Sequence, residues 1–201
     1  MENIDQLIKR LLWKVDKIND NELTYLVHTL IEKTKILNNE AFVDSVTQIN
    51  NRKIIDYIDN YSIIVMCDID NFKFVNDTYG HIVGDKILKY IAKVLSQSIR
   101  PYDYVCRFGG DEFLISFTNC PLEIAINRIE LIRNVLSTCD IIPTPLTISV
   151  GISQKKNNQT LNELIKQADE ALYLSKSNGK NQLTIYKEPK EKELVKLPKQ
   201  N

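Results

Sequence analysis

The stretch Arg107-Phe108-Gly109-Gly110-Asp111-Glu112-Phe113 decides how this chain is organised. Mostly apolar residues flank it at 104–106 and 114–117, and two β-prone runs joined by adjacent glycines predict a hairpin with a tight turn. Glycines allow a positive φ and let a ligand come close to the main chain. Asp111 and Glu112 follow the glycines directly, so their carboxylates can hold a cation over a phosphate at the rim of the turn. A plain turn with solvated acids is the other interpretation of a hairpin taken alone.

The composition restricts the kinds of partner. At 201 residues the chain suits one domain plus an extension, and a hydrophobic content of 43% is enough for a core. Lys+Arg and Asp+Glu both number 26, so no global field attracts nucleic acid or acidic lipid, and any phosphate binding must be local. No apolar run approaches the roughly 20 residues that span a bilayer. Four cysteines without metal-type spacing indicate reduced, buried thiols, so we expect a cytoplasmic protein. Because the charges balance, we expect no nucleic-acid partner.

The start of the chain predicts two helices within residues 3–37. Apolar residues recur there at alternating spacings of four and three, and the break at residues 19–21 separates two such stripes. We expect an N-terminal α-helical hairpin over residues 1–43 that packs on the main domain, pairs with a second chain, or does both. Residues 188–201 are charged and poor in apolar side chains, which predicts a flexible tail after a domain at 44–187.

A second acidic segment ends a short apolar run at residues 61–67. Asp68-Ile69-Asp70 follows this predicted strand, which projects carboxylates from the edge of a sheet. Such charges are costly unless a cation or a donor meets them. Mg²⁺ favours oxygen ligands and commonly takes one or two carboxylates plus substrate phosphates. A magnesium site is one interpretation, and capping of the following turn by Asp68 is the other.

Residues 71–85 carry side chains that suit a purine base. Asn76 offers an amide donor and acceptor, and Asp85 offers two acceptor oxygens. The N1–H and N2–H₂ edge of guanine suits a carboxylate, whereas adenine lacks this donor pair, so Asp85 favours guanine. The alternative is that Asn76 and Asp77 cap helices. His81 is expected to make a structural hydrogen bond rather than to act in catalysis.

Two lysines lie near the end of a predicted helix that starts at about residue 161. Gly179 is expected to end this helix, and Lys176 and Lys180 beside that end can meet a triphosphate or remain solvated.

These motifs together resemble the GGDEF family, the diguanylate cyclases, over about residues 44–186. The resemblance rests on 107–113, on Phe72-Lys73-x-x-Asn76-Asp77-x-x-Gly80-His81-x-x-Gly84-Asp85, on the opening segment 44–52 and on the helix-to-lysine segment 168–181. Four residues depart from the family pattern in these segments, and two of them, Val46 and Ile49, are mild replacements of leucine. Gln48 replaces a glycine, so we expect a different turn there, and Ser175 replaces an alanine.

The order of predicted elements gives an α+β fold, in which a central sheet containing antiparallel strands is flanked by helices. The resemblance implies a sheet of the nucleotidyl-cyclase or polymerase-palm type. It also implies that Asp68, the Ile69 carbonyl and Asp111 hold the metals, with Glu112 as catalytic base or further metal contact.

The resemblance assigns substrate contacts as well. Asn76 and Asp85 would contact guanine, and lysines would contact phosphate. Phe72 and Phe74 are expected in the core, and Phe72 is also counted with the substrate-binding residues. The full implied substrate set is Phe72, Lys73, Asn76, Asp85, Gly109, Gly110, Lys176 and Lys180.

Arg100-Pro101-Tyr102-Asp103 matches the family's Arg-x-x-Asp allosteric motif, with five residues between Asp103 and Gly109. An arginine fork can hold phosphate or a guanine edge, so the match implies a site for bound product. Family members often supply further arginines from the helix after the hairpin, where this chain has Asn127 and Leu131. Arg128 and Arg133 are possible substitutes, and we expect weak inhibition.

The resemblance implies a diguanylate cyclase that condenses two GTP into cyclic di-GMP and two pyrophosphates. Each domain would hold one GTP, so catalysis would need a homodimer, with two Mg²⁺ per active site and Mn²⁺ as an alternative. Three other functions stay open. They are an inactive cyclic di-GMP receptor, against which the intact Asp68, Asp111 and Glu112 argue, a cyclase making another dinucleotide, against which Asp85 argues, and an oligomerisation scaffold.

Overall fold

The structure is a computed structural model that describes residues 27, 41–58, 60–156 and 158–188. The predicted helical hairpin falls almost wholly outside these residues, as does the predicted tail apart from residue 188. In chain order the elements are β1 (Asn50–Asn51), a 3-10 helix (Arg52–Tyr57), β2 (Ile63–Ile69), α1 (Phe72–Tyr79), α2 (His81–Ser98), β3 (Tyr104–Arg107), β4 (Glu112–Phe117), α3 (Leu122–Ser137), β5 (Ile148–Gln154), α4 (Leu161–Ser177) and β6 (Leu183–Ile185).

The strands form one mixed sheet in the spatial order β1-β3-β4-β2-β5-β6. β2 lies in the middle, antiparallel to both β4 and β5, whereas the outer pairs β1–β3 and β5–β6 are parallel. All seven residues of β2 are buried, because helices cover both faces of the sheet. The predicted α+β fold with a helix-flanked, partly antiparallel sheet is therefore confirmed.

Alternation along β2 separates two cores. Ile63, Val65 and Cys67 face the larger core, to which α2 and α3 contribute. Ile64 and Met66 face a smaller core with Leu164, Ala168 and Leu172 of α4. Asp68 continues the second row and so lies on the α4 side of the sheet, which brings it to the end of that helix.

The close packing of α4 on the sheet depends on Gly151 of β5. A Cβ atom there would lie 2.1 Å from the Ala168 carbonyl oxygen and 2.2 Å from the Leu172 backbone nitrogen. The buried Ser175 hydroxyl also ties α4 to the sheet, since Oγ donates to the Val150 carbonyl at 2.7 Å and lies 2.7 Å from Thr184 Oγ1. The serine that departs from the family pattern thus has a structural role.

Two expectations about local structure need correction. Gln48 has φ of +61°, so it adopts the left-handed region that glycine reaches cheaply, and its Nε2 donates to the Ser45 carbonyl at 2.9 Å. The expected difference in that turn is therefore not seen in the backbone angle. Phe74 was predicted in the core, but it is 60% exposed because it lies on the outer face of the short helix α1.

Candidate active site

The signature hairpin is confirmed, with Arg107 of β3 opposite Phe113 of β4. Neither Gly109 nor Gly110 has a φ in the left-handed region, so positive φ is not the reason for glycine there. A Cβ atom on Gly109 would lie 2.9 Å from Glu112 Oε2, whereas one on Gly110 would have no neighbour within 4 Å. The first glycine therefore gives room to the Glu112 carboxylate, and the second leaves the main chain open towards a ligand.

The guanidinium group of Arg107 stabilises the hairpin turn and binds the opening segment. Its Nε and Nη2 donate to the Gly110 carbonyl at 3.0 and 2.7 Å, and its Nη1 donates to Asp44 Oδ1 at 3.0 Å. Burial opposes ionisation of Asp44, but hydrogen bonds from Thr47 and the Arg107 guanidinium hold its pKa below the usual value. The opening segment and the signature are joined by this ion pair, which the spacing in the sequence did not predict.

The register of the sheet brings the acidic segments together. Asp68 lies opposite Glu112 across the β2–β4 pair, and the Ile69 N–H donates to the Asp111 carbonyl at 3.2 Å. Asp68 therefore lies at the same end of the sheet as Asp111 and Glu112, although more than 40 positions separate it from them in the chain.

A lysine from α4 pairs with one member of this cluster, Asp68. Lys176 Nζ lies 2.7 Å from Asp68 Oδ2. The pKa of Asp68 is raised to about 6, chiefly by burial; the Lys176 ammonium lowers it, and the charges of Asp111 and Glu112 also raise it. The Asp68 carboxylate is thus paired with a cation, and it does not cap the following helix, whose N-cap residue is Asn71.

The carboxylates fit the chemistry of a hard divalent cation. Within the described part of the chain, no three His, Cys, Asp or Glu side chains converge as a ready-made metal cage. Mg²⁺ does not need one, because it usually takes one or two carboxylates and completes its shell with water and substrate phosphates. A positive charge, the Lys176 ammonium, already meets Asp68 here. Asp68, the Ile69 main chain and Asp111 are therefore suitable donors.

A cleft of about 500 Å³ opens beside Asp111. It gathers side chains from α1, α2 and the hairpin, and six predicted site residues are among them. The lining consists of Phe72, Lys73, Asn76, Asp77, His81, Asp85, Leu88, Arg107, Gly110 and Asp111. Asn76 and Asp77 lie inside α1 and neither caps a helix, so the capping interpretation is wrong.

The loop after α4 carries the second lysine of the predicted phosphate site. Lys180 and the next residue, Asn181, both have positive φ values, +63° and +44°. Lys180 Nζ contacts Asn71 Oδ1 at 2.6 Å, at the start of α1. Lys176 and Lys180 thus contact the first and last residues of the segment 68–71.

Asp70 holds this loop and was missed by the analysis of the sequence. It is buried, and it accepts hydrogen bonds from Thr147 Oγ1 at 2.7 Å, Ser149 Oγ at 2.6 Å and the Asn181 N–H at 2.9 Å. Arg133 of α3 binds Asn181 from the other side, through its carbonyl and side-chain oxygens. The only signal in the sequence was a second acid after β2, which does not reveal its partners.

The Arg-x-x-Asp segment folds into a turn before β3. Asp103 is buried, and its carboxylate accepts from the backbone N–H groups of Arg100 and Thr118, both at 3.0 Å. The Arg100 guanidinium lies 5.8 Å from the centre of the Tyr102 ring. Asp103 therefore stabilises the turn, and Arg100 is the more accessible member of the pair.

The two substitute arginines are engaged elsewhere. Arg128 donates to the Ser98 carbonyl at 2.5 Å, and Arg133 binds the Glu130 carboxylate as well as Asn181. Leu131, at the position expected for a supporting arginine, is 66% exposed.

A mixed, helix-flanked sheet with carboxylates at its end and a polar cleft beside them defines an α+β domain of the nucleotidyl-cyclase and polymerase-palm class. The sequence profile of one family, described as diguanylate cyclase, GGDEF domain, matches residues 33–182. The chain therefore belongs to the GGDEF family.

Two known proteins resemble this chain, one in sequence and one in structure. The diguanylate cyclase DgcM of Escherichia coli K12 is 31% identical over 185 residues, which are 84% of this chain and 45% of DgcM. The chain thus spans less than half of that relative. The coiled coil and GGDEF domain of DgcB from Caulobacter crescentus, solved in complex with c-di-GMP, superposes with a TM-score of 0.75 at 28% identity, covering 82% of this chain and 95% of the solved chain.

A second solved structure agrees. The active GGEEF domain of a diguanylate cyclase from Vibrio cholerae superposes with a TM-score of 0.64 at 28% identity, covering 71% of this chain and all 100% of that chain. None of the helices in the described ranges is sufficiently long and apolar to cross a membrane.

Proposed function

We propose that this chain is a diguanylate cyclase that condenses two GTP into cyclic di-GMP and two pyrophosphates. The observation behind the proposal is the meeting of Asp68, Asp111 and Glu112 beside a cleft whose polar groups suit guanine. Diguanylate cyclases are the family to which the chain belongs, and they use divalent metal ions.

The cleft supports guanine recognition. Asn76 from α1 and Asp85 from α2 line the same cavity, although they belong to different helices. A carboxylate accepts from the N1–H and N2–H₂ donors of guanine, and an amide can serve the N3 and N2 edge. Phe72 lines the cleft and also packs against the core, which gives the base an apolar wall.

Three lysines are proposed for the triphosphate. Lys73 lines the cleft, Lys176 meets Asp68, and Lys180 lies at Asn71. The open main chain at Gly110 lets phosphate oxygens approach the hairpin closely, beside Gly109. On binding GTP, Lys176 would exchange its carboxylate partner, and Lys180 its neutral amide partner, for phosphate oxygens.

The chemical step is an in-line attack of the 3′-hydroxyl of one GTP on the α-phosphorus of the other. Two Mg²⁺ ions, or Mn²⁺ as an alternative, would activate the hydroxyl and neutralise the pyrophosphate when held by Asp68, the Ile69 carbonyl, Asp111 and Glu112. Glu112 extends over the turn beside Gly109 and is the proposed base or further metal contact. Lys176 orients the leaving pyrophosphate.

The reaction needs two domains. Each domain offers one guanine cleft, so two GTP face each other only in an antiparallel homodimer. The proposed catalytic domain is 44–187, flanked by the helical hairpin 1–43 and the tail 188–201. The four described cysteines are free and buried, which suits a reducing cytoplasm.

The proposal also includes inhibition by the product, cyclic di-GMP, through Arg100. Arg100 has one cation–π contact and can turn towards a phosphate or guanine edge. Asp103, in contrast, is committed to its own turn, and Arg128 and Arg133 are engaged elsewhere. We therefore propose binding that is weaker than in a member with the whole site.

The test is turnover of purified protein with GTP and Mg²⁺, with the product identified by mass. Asp111→Asn is the control, because it removes a charge but keeps the shape of the side chain, and it should lose most of the activity. A product mass of cyclic di-GMP supports the proposal. Absence of turnover together with tight cyclic di-GMP binding would instead support the receptor, and a mixed product from GTP and ATP would support another cyclase.

A further inference from the structure

Gly84 is the fourth residue of α2, at the end of its first turn, where glycine has no evident backbone role. The residue is buried, and its φ lies outside the left-handed region. Glycine inside a helix costs about 1 kcal/mol relative to alanine. A glycine at this place therefore needs a reason in the packing around it.

That reason is the side chain of Asn76. A Cβ atom on Gly84 would lie 2.0 Å from Asn76 Oδ1 and 3.1 Å from its Cγ. The Asn76 amide thus fills the space that an alanine methyl group would take. The next neighbour, Phe72 Cζ, would be 3.3 Å away, a distance that a small ring movement relieves.

The two helices are closely linked at this point. Asn76 is on α1, Gly84 is on α2, and only Gly80 separates the helices. Asp85 directly follows Gly84, so one turn of α2 carries the guanine-accepting carboxylate and also bounds the Asn76 amide. The absence of a side chain at Gly84 therefore lets the Asn76 amide lie against the turn of α2 that carries Asp85.

We propose that Gly84 is a positioning residue that determines guanine specificity by holding the Asn76 amide against α2, in the cleft beside Asp85. The inference rests on the proposed function, since it takes Asn76 as a guanine contact. An alanine at 84 would displace the amide, so that it no longer reaches the 2-amino edge of the base. Asp85 and the metal-binding carboxylates would keep their places.

The experiment is a double-mutant cycle with Gly84→Ala, Asn76→Ala and the double variant. The ligands are GDP and IDP, which differ only in the 2-amino group and lack the triphosphate that the reaction consumes. We expect each single variant to reduce the preference for GDP over IDP by about 3- to 10-fold, the size of one hydrogen bond. The double variant should lose no more than either single variant, because both act on one contact.

Thermal unfolding of the same four proteins separates positioning from a general packing fault. Gly84→Ala should lower the Tm in the wild-type background, because the Asn76 amide must move. In the Asn76→Ala background the same change should leave the Tm unchanged or raise it, since alanine favours the helix. Lys86→Ala, at an exposed position of α2, is the matched control for helix propensity.

The outcomes differ for this inference and for the proposed function. If Asn76→Ala loses the GDP preference while Gly84→Ala keeps it, the role of Gly84 is wrong and the guanine contact stands. Equal loss of Tm on Gly84→Ala in both backgrounds also overturns the inference, because the clash would then lie with other atoms. If Asn76→Ala keeps the preference, the guanine contact and the role of Gly84 both fail, whereas cyclase activity is judged by the product mass.

Discussion

The residue that sets the charge of the site is Asp68. It is nearly buried, faces Lys176 at 2.7 Å and shares its end of the sheet with two other carboxylates. A buried carboxylate among like charges holds its proton more tightly than an exposed one, and an incoming cation reverses this preference. The same features that favour a metal ion therefore make the metal-free protein sensitive to pH.

The pH dependence of stability has a definite sign. The pKa of Asp68 is raised from 3.8 to about 6, so the folded protein binds this proton more tightly than the unfolded chain does. The free energy of unfolding should then fall by about 1–2 kcal/mol as the pH rises from about 4 to about 6. Denaturant titrations without metal, compared with Asp68→Asn, measure this contribution. If the difference between the two proteins does not vary with pH, the assigned shift is wrong.

Asp70 should matter for nucleotide binding through the loop that it holds. Asp70→Ala leaves two hydroxyl groups and the Asn181 N–H without their acceptor, which should cost about 2–4 kcal/mol of stability. The loop with Lys180 should then be less well placed, so the KM for GTP should rise more than kcat falls.

Asp70→Asn is the matched control for this change. Its amide oxygen can still accept the Asn181 N–H, and hydroxyl groups can turn to accept from its NH₂ group. Most of the KM should therefore be restored. Equal KM values for wild type and Asp70→Ala would show that the loop is held without Asp70.

At the level of elements, the position of α4 depends on its close approach to β5. Lys176 reaches Asp68 only because α4 lies directly on the sheet, where Gly151 leaves room for the helix backbone. The last turn of α4 carries this lysine, so the position of the helix on the sheet determines where the lysine lies in the site.

Gly151→Ala should lower the free energy of unfolding by at least about 2 kcal/mol, because helix backbone atoms cannot give way as a flexible side chain can. Gly110→Ala is the control for stability, since nothing lies within 4 Å of a Cβ atom there. The measurement is chemical denaturation of both variants. A Gly151→Ala protein as stable as Gly110→Ala would mean that α4 can shift without cost.

The Arg100 turn is the element proposed for feedback. Added cyclic di-GMP should inhibit non-competitively with GTP, because the turn is separate from the cleft, and Arg100→Ala should abolish the effect. The inhibition should be weak because Asp103 is engaged by backbone donors. Initial rates at several GTP and product concentrations test this. Equal inhibition of both proteins, or purely competitive inhibition, would make the segment a structural turn only.

On the scale of the whole molecule, the proposed reaction needs two chains. The rate per chain should rise with protein concentration and then level off, since each domain supplies one GTP. Deleting residues 1–38 should shift this curve to higher concentration if the predicted helical hairpin promotes pairing. Initial rates over a dilution series, together with the measured mass in solution, test both points.

A constant rate per chain in a protein shown to be monomeric would overturn the two-domain mechanism. An unshifted curve after the deletion would contradict only the role given to the hairpin.

Local patterns in the sequence predicted the elements and the residue types of the site. The apolar run at 61–67, the hairpin around Gly109 and Gly110, and the helix expected from about residue 161 all correspond to elements of the structure. These signals depend on neighbouring residues, so one chain segment is enough to display them. Phe74 shows the limit, because a short helix with several apolar residues does not indicate which of them faces outwards.

Tertiary structure alone decided which distant groups meet. Asp70 with Asn181, Arg107 with Asp44, Lys176 with Asp68 and Gly84 with Asn76 are pairs that no local pattern connects. The same is true of Asp103, whose acid type suggested a ligand contact but whose carboxylate is used within its own turn. Chain composition and periodicity determine which elements each segment can form. Strand register and the position of the helices on the sheet determine which side chains come within bonding distance, because both depend on packing across the whole sheet.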